Sequence, residues 1–88
     1  MKRDYNDPSY KQFRLNVLKR DKFTCQMCNS KKRRLNVHHI IKWSSAASLR
    51  FDTSNGITLC SGCHKKINGK ESHYISLFNE IIRRNKNG

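Results

Sequence analysis

Two C-x2-C pairs, Cys25 with Cys28 and Cys60 with Cys63, lie 31 residues apart. They constrain this chain more than any other feature. Four thiolates satisfy the tetrahedral preference of Zn²⁺ at about 2.3 Å per bond. Each pair grips an ion from a tight turn, and the segment between them closes into a loop whose ends meet at the metal. With all four positions filled by sulfur, such a zinc has no open site for water or substrate and is structural. A chain of 88 residues needs a staple of this kind. A domain this small buries only about 60 to 70% of the surface of its unfolded chain. Its 35% hydrophobic residues must work against an ordering cost of roughly 1.5 kcal/mol per residue. Structural zinc contributes roughly 10 to 16 kcal/mol of apparent binding free energy in finger peptides, so the metal-free chain is expected to be largely unfolded. Two disulfides, or free buried thiols, are the alternative reading of the same cysteines.

The compartment favours metal. The opening residues, MKRDYNDPSYKQF, carry no apolar stretch of the signal-peptide kind, and no run of about 18 apolar residues could span a bilayer. A soluble, cytoplasmic protein is therefore expected, with no membrane partner. In a reducing cytosol paired thiols hold metal more often than they form structural disulfides. A redox role for C-x2-C would need a thioredoxin-like βαβ pattern, which is missing. Nineteen Lys and Arg against six Asp and Glu give a formal charge of +13, which attracts polyanions over a long range and points to nucleic acid.

After a basic start, Asp7-Pro8 reads as N-cap and first helical position, with Tyr10, Phe13 and Val17 recurring at helical spacing over a helix of about Ser9 to Arg20. Phe23 to Cys28 has the form of a strand end turning through a metal knuckle. The polar, basic run Asn29 to Arg34 follows as a hairpin loop. Leu35 to Ile41 alternates as a strand with two histidines near its end. A long loop with at most a helical turn is expected from Lys42 to Ser54. Asn55-Gly56 signals a turn and Ile57 to Leu59 a short strand, after which Cys60 to His64 leads into a helix ending near Asn68-Gly69. A last helix from about Glu71 to Arg84 carries Tyr74, Leu77, Phe78 and Ile81 as a core-facing stripe.

Once zinc has its cysteines, His38, His39, Asn55 and His64 remain. A lone strand histidine is more often packed or exposed than a ligand, but two adjacent ones plus Cys63-His64 shift the balance towards a second site. Together, Cys25-x2-Cys28, His38-His39-Ile40, Asn55-Gly56-Ile57-Thr58-Leu59 and Cys60-x2-Cys63-His64 resemble the HNH endonuclease family in its four-cysteine form. Small phage and prophage nucleases look most alike. The letters map to His39, Asn55 and His64, and the resemblance covers about Phe13 to Phe78.

The resemblance implies an α+β fold: a small ββα-metal, treble-clef-like domain over residues 1–88 with a core of about 13–78, a four-cysteine zinc staple and flanking N- and C-terminal helices. It implies a metal-dependent endonuclease acting on double-stranded DNA, with His39 as general base and His38 and His64 as ligands of a catalytic divalent ion. Mg²⁺, Mn²⁺, Ni²⁺ and Zn²⁺ are all candidates for that ion, since histidines suit Ni²⁺ and Zn²⁺ while the others favour oxygen. Asn55 is catalytic in a sense left open: it either binds metal or holds the loop that orients the base. Specificity is expected to be weak or to come from a homodimer partner or another protein such as a phage packaging partner, and a phage-encoded chain would work in the host cytoplasm. The rival class is a non-catalytic zinc-dependent module that binds nucleic acid, which a base beside a metal ligand argues against. Adjacent strand residues point to opposite faces, so the metal is expected on the His38 side, facing the helix of His64, with His39 aimed at the attacking water.

Other residues carry weaker expectations. Lys31, Lys32, Arg33 and Arg34 either contact phosphates beside the cut or form a solvated tip. Each phosphate contact would steepen the fall of log affinity with log salt by about 0.9 for duplex DNA. Glu71 is an extra ligand or, preferably, position N3 of a capping box with Asn68 as N-cap. His73 is expected to be exposed, Trp43 to be packed rather than stacked on a base, and Arg20-Asp21 to tie the first helix to the knuckle.

Overall fold

The computed structural model describes residues 7–32, 34–41 and 47–87. Arg33, Trp43, the stretch 42–46 and the basic start lie outside them. Helix α1 spans Pro8–Arg20, with the Asp7 carboxylate accepting the Ser9 N–H at 2.7 Å and Pro8 at the first turn. That cap satisfies one of the amides a helix start leaves without an intrahelical partner. The helix stops at Asp21, after which Lys22 and Phe23 both take left-handed backbone conformations, with φ of 57° and 51°. The Phe23 N–H returns to the Leu18 carbonyl at 2.8 Å. Left-handed residues cannot lie in a strand, so the strand end expected at Phe23 does not form. Instead the knuckle closes on itself, Cys25 N–H donating to Ser30 O and Asn29 N–H to Cys25 O, both at 2.9 Å. The Gln26 N–H docks the knuckle on Thr58 O at 3.0 Å.

Strand β1 (Leu35–His39) pairs antiparallel with β2 (Gly56–Cys60). The register sets Leu35 opposite Cys60, Val37 opposite Thr58, His38 opposite Ile57 and His39 opposite Gly56. Between the strands, short 3-10 turns cover Ala47–Leu49 and Thr53–Asn55. Helix α2 (Ser61–Ile67) follows β2 directly, and a 3-10 turn over Glu71–Tyr74 precedes helix α3 (Ile75–Asn87). The result is a small ββα unit flanked by α1 and α3. No helix among the described residues is long and apolar enough to cross a membrane.

The two faces of the ribbon are covered separately, as a period of two dictates. Ile57 and Leu59 join Cys25, Ile40, Cys60, Cys63, Ile67, Phe78 and Ile82 in one core. Tyr10, Phe13 and Val17 of α1 form the other, with Val37 against them. On α3 the buried stripe departs from the expected one: Phe78 and Ile82 are buried while Leu77 is 48% exposed. Tyr74, Ile75 and Ile81 pack against the same core, so of the expected stripe only Leu77 faces outward. The capping box at Asn68 and Glu71 is not made. Asn68 instead ends α2, its N–H going to Lys65 O, and the turn begins after Lys70 without a side-chain cap.

One polar knot ties α1 to the ribbon. The Arg20 guanidinium grips both oxygens of Asp21 at 2.9 Å and donates to the Thr53 and Gly56 carbonyls at 2.7 and 2.6 Å. The Asp21 carboxylate, fully buried, accepts the Thr58 N–H at 3.0 Å and the Asn85 amide at 2.8 Å. The Gln26 amide donates to Asp21 O at 3.2 Å. Arg20-Asp21 thus reaches the knuckle as expected, and also β2, the turn before it and α3.

Candidate functional site

Cys25 and Cys28 come from the knuckle, Cys60 from the end of β2 and Cys63 from the first turn of α2. Their sulfurs all lie within 4.8 Å of one another. Four sulfurs around an ion at about 2.3 Å would stand roughly 3.8 Å apart along the edges of a tetrahedron. The Cys28 and Cys60 sulfurs are 3.6 Å apart, far beyond disulfide length, and all four thiols are free. The donor set and spacing fit zinc. Its electrostatics fit too. The Cys60 thiol is held down to about 6, chiefly by the Cys63 N–H, which donates to its sulfur at 3.4 Å. Burial works against the Cys25 thiolate, yet backbone hydrogen bonds at Cys28, Cys60 and Met27 outweigh it and leave that thiol below its usual range. Burial pushes Cys63 up to about 12, and the neighbouring thiols add to the rise. Four thiolates this close cannot coexist unless a cation sits among them.

The histidines divide between the two faces of β1. His38, buried, turns towards α2 and α3: its ring centre is 5.6 Å from that of His64 and 5.7 Å from that of Phe78, edge-on to both. Edge-to-face rings commonly pack at about 4.5 to 7 Å between centres, and the 5.6 Å of this pair falls in that range. His64 is half-buried on α2, directly after Cys63, so the zinc turn also aims this imidazole. Among the described residues no third His, Cys, Asp or Glu completes a cluster with them.

His39 turns the other way, under α1. Phe13 stacks on its ring, with centres 4.9 Å apart and planes 20° from parallel. His39 Nε2 lies 2.8 Å from the Arg50 carbonyl oxygen. A carbonyl only accepts, so Nε2 donates here, and in the neutral form of the ring Nδ1 is then the basic nitrogen. Asn55 serves the loop that presents this carbonyl. Its side-chain oxygen accepts the Ile41 N–H at 2.8 Å, and its amide donates to Ile41 O at 3.1 Å and Leu49 O at 3.2 Å. The Asn55 carbonyl accepts the Ile40 N–H at 2.8 Å. Both ends of the loop between the strands are thereby fastened to one residue.

The structure brings the four cysteines together, His38 to His64, and Asn55 to the loop over His39. It leaves Lys31, Lys32 and Arg34 exposed, with Lys31 at the rim of a cleft of about 270 Å³ beside Arg20, Lys22 and Arg84. His73 is exposed, as expected. The sequence did not announce the Arg50 carbonyl or the aromatic partners of the histidines. A backbone acceptor leaves no mark in residue type, and Phe13 and Phe78 read only as core positions. A family model described as HNH endonuclease matches residues 25–70, just over half of the chain and the span from the first knuckle to the turn after α2. No curated protein and no solved structure matches.

Proposed function

The chain belongs to the HNH endonuclease family, and from that premise we propose that it hydrolyses phosphodiester bonds of double-stranded DNA, with His39 as general base. The observation that supports this most is the bond from His39 Nε2 to the Arg50 carbonyl, which puts a proton on Nε2 and so makes Nδ1 the basic nitrogen of the neutral form. In the proposed step a water gives a proton to His39 Nδ1 as its oxygen bonds to phosphorus. The bond from phosphorus to the 3′ oxygen breaks, and that oxygen leaves with a proton from solvent. A divalent ion held by His38 and His64, when bound, supplies charge stabilisation for the phosphate and the leaving oxygen. His38 would also keep His64 in line, edge to ring. Asn55 acts as a positioning residue that secures the loop carrying the Arg50 carbonyl. Lys31, Lys32, Arg33 and Arg34 would take flanking phosphates, and the charge of +13 would draw DNA to the site. Work in the cytoplasm, where thiols stay reduced, is part of the same proposal, as is one strand cut per visit.

The test is a supercoiled-plasmid assay across Mg²⁺, Mn²⁺, Ni²⁺ and Zn²⁺ with wild type and His39→Ala. Removing a general base is expected to lower the rate roughly 10²- to 10⁴-fold, with DNA affinity retained. Equal cutting by both proteins would reject the mechanism. Tight DNA binding without cutting by wild type in any metal would return the chain to the non-catalytic class.

A further inference from the structure

We propose that Phe13 of α1 is a positioning residue for His39, and that Gly56 is glycine to admit it. The proposal rests on the reading of His39 as general base. A histidine ring has two soft torsions, and the second is broad and nearly two-fold, so the rotamer alone does not set the plane of the imidazole. The hydrogen bond from Nε2 to Arg50 O fixes where one nitrogen points but leaves the ring free to swing about that direction. The face of Phe13, 4.9 Å away and within 20° of parallel, fixes the plane. Together the two constraints aim Nδ1 in one direction.

Gly56 is the cross-strand partner of His39, so its missing side chain would project on the face where Phe13 lies. Its backbone is ordinary extended strand, with φ −118° and ψ 145°, and any residue could adopt it. Conformation does not require glycine here, but space does. A Cβ at Gly56 would meet Phe13 Cζ at 2.7 Å and Val17 Cγ2 at 2.8 Å, closer than van der Waals contact permits. The Arg20 bond to Gly56 O holds α1 at this distance, so the helix cannot easily retreat. Phe13 itself is 2% exposed and precedes the residues that match the family model. The site as the family model delimits it is therefore completed, in this chain, by a helix outside that span.

The experiment uses the full zinc-loaded chain as wild type, Phe13→Leu and Gly56→Ala, with plasmid cutting in Mn²⁺ and nitrogen NMR of the His39 ring. Phe13→Leu keeps an apolar side chain but removes the flat face, and Gly56→Ala displaces the ring. Each is expected to lower kcat roughly 10- to 100-fold with KM little changed. The double variant should lose little more than either alone, because both act through one contact. In wild type the His39 ring protons should be shifted upfield by the Phe13 ring, and one tautomer, protonated at Nε2, should dominate. The upfield shift should be lost in Phe13→Leu, while the Nε2-protonated tautomer, set by the Arg50 carbonyl, should persist. Wild-type kcat in a folded Phe13→Leu would overturn the proposal. So would wild-type ring protons without the upfield shift, or a mixture of tautomers, and this holds even if neither variant folds. Failure of the underlying reading looks different, because His39→Ala would then cut like wild type whatever Phe13 does.

Discussion

At the scale of single residues, the histidines and the asparagine differ in how much of their chemistry is local. Asn55 has both amide hydrogens and its oxygen committed to the backbone at Ile41 and Leu49. Asn55→Ala would leave an N–H and two carbonyls without that partner, each worth about 1 kcal/mol if buried, and should slow cutting by loosening the Arg50 carbonyl over His39. Asn55→Asp is the sharper test. A carboxylate keeps the acceptor for the Ile41 N–H but sets a second oxygen against the two carbonyls, so the variant should cut no better than Asn55→Ala, while Mn²⁺ binding measured by calorimetry stays at the wild-type level. Strong cutting by Asn55→Asp, with tighter metal binding, would make Asn55 a ligand instead. Residue types and spacing pointed to Asn55 but not to its task. An amide suits a metal and a backbone equally well, and the hydrogen bonds to Ile41 and Leu49 are what support the positioning role proposed above.

Among elements, the decisive joint is the end of α1. Asp21 is buried with Arg20, Thr58 and Asn85 around it, so Asp21→Ala strands the Arg20 guanidinium and the Thr58 N–H. Breaking one partner of a buried pair costs about 3 to 5 kcal/mol, which should appear as a large drop in the melting temperature of the zinc-loaded protein. Asp21→Asn, which retains one acceptor, should lose less. Elements were legible in the sequence wherever a local signal agreed with packing. Asp7-Pro8 capped α1, the strand expected over Leu35 to Ile41 became β1 as far as His39, and Cys60 opened α2. Signals failed where the chain leaves regular geometry. Lys22 and Phe23 are left-handed although neither is a glycine, so no residue type warned that the strand before the knuckle would be replaced by a turn. On α3 the apolar residues Ile75, Leu77, Phe78, Ile81 and Ile82 cover more than one face of the helix, so spacing alone did not decide that Ile82 rather than Leu77 is buried.

For the molecule as a whole, zinc held by the four clustered cysteines is expected to be the main folding contact, and removing the metal should unfold the chain. Circular dichroism after treatment with a strong chelator is expected to show loss of helix, and an unchanged spectrum after verified zinc removal would sink this. Zinc binding should also weaken as pH falls. The sign follows from the thiols: zinc takes thiolates, Cys63 sits at about 12 without metal, and binding near pH 7 must therefore release its proton, together with any still held by its neighbours. Acid supplies those protons and opposes binding. Isothermal titration in buffers of different ionisation enthalpy would count the protons released, and a count of zero would contradict the assignment.

The antiparallel register has a consequence for how such a chain tolerates change in length. Because Cys60 pairs with Leu35 and also belongs to the zinc centre, the ladder is pinned at its metal end, and everything from Asn36 to His39 is counted from there. A residue inserted at the exposed tip between Lys31 and Lys32 adds only loop and should leave cutting intact. The same insertion between Val37 and His38 carries each histidine to the opposite side of the sheet, delivering His38 to α1 and moving His39 off the side α1 covers. Both products can fold around zinc, and only the first is expected to cut.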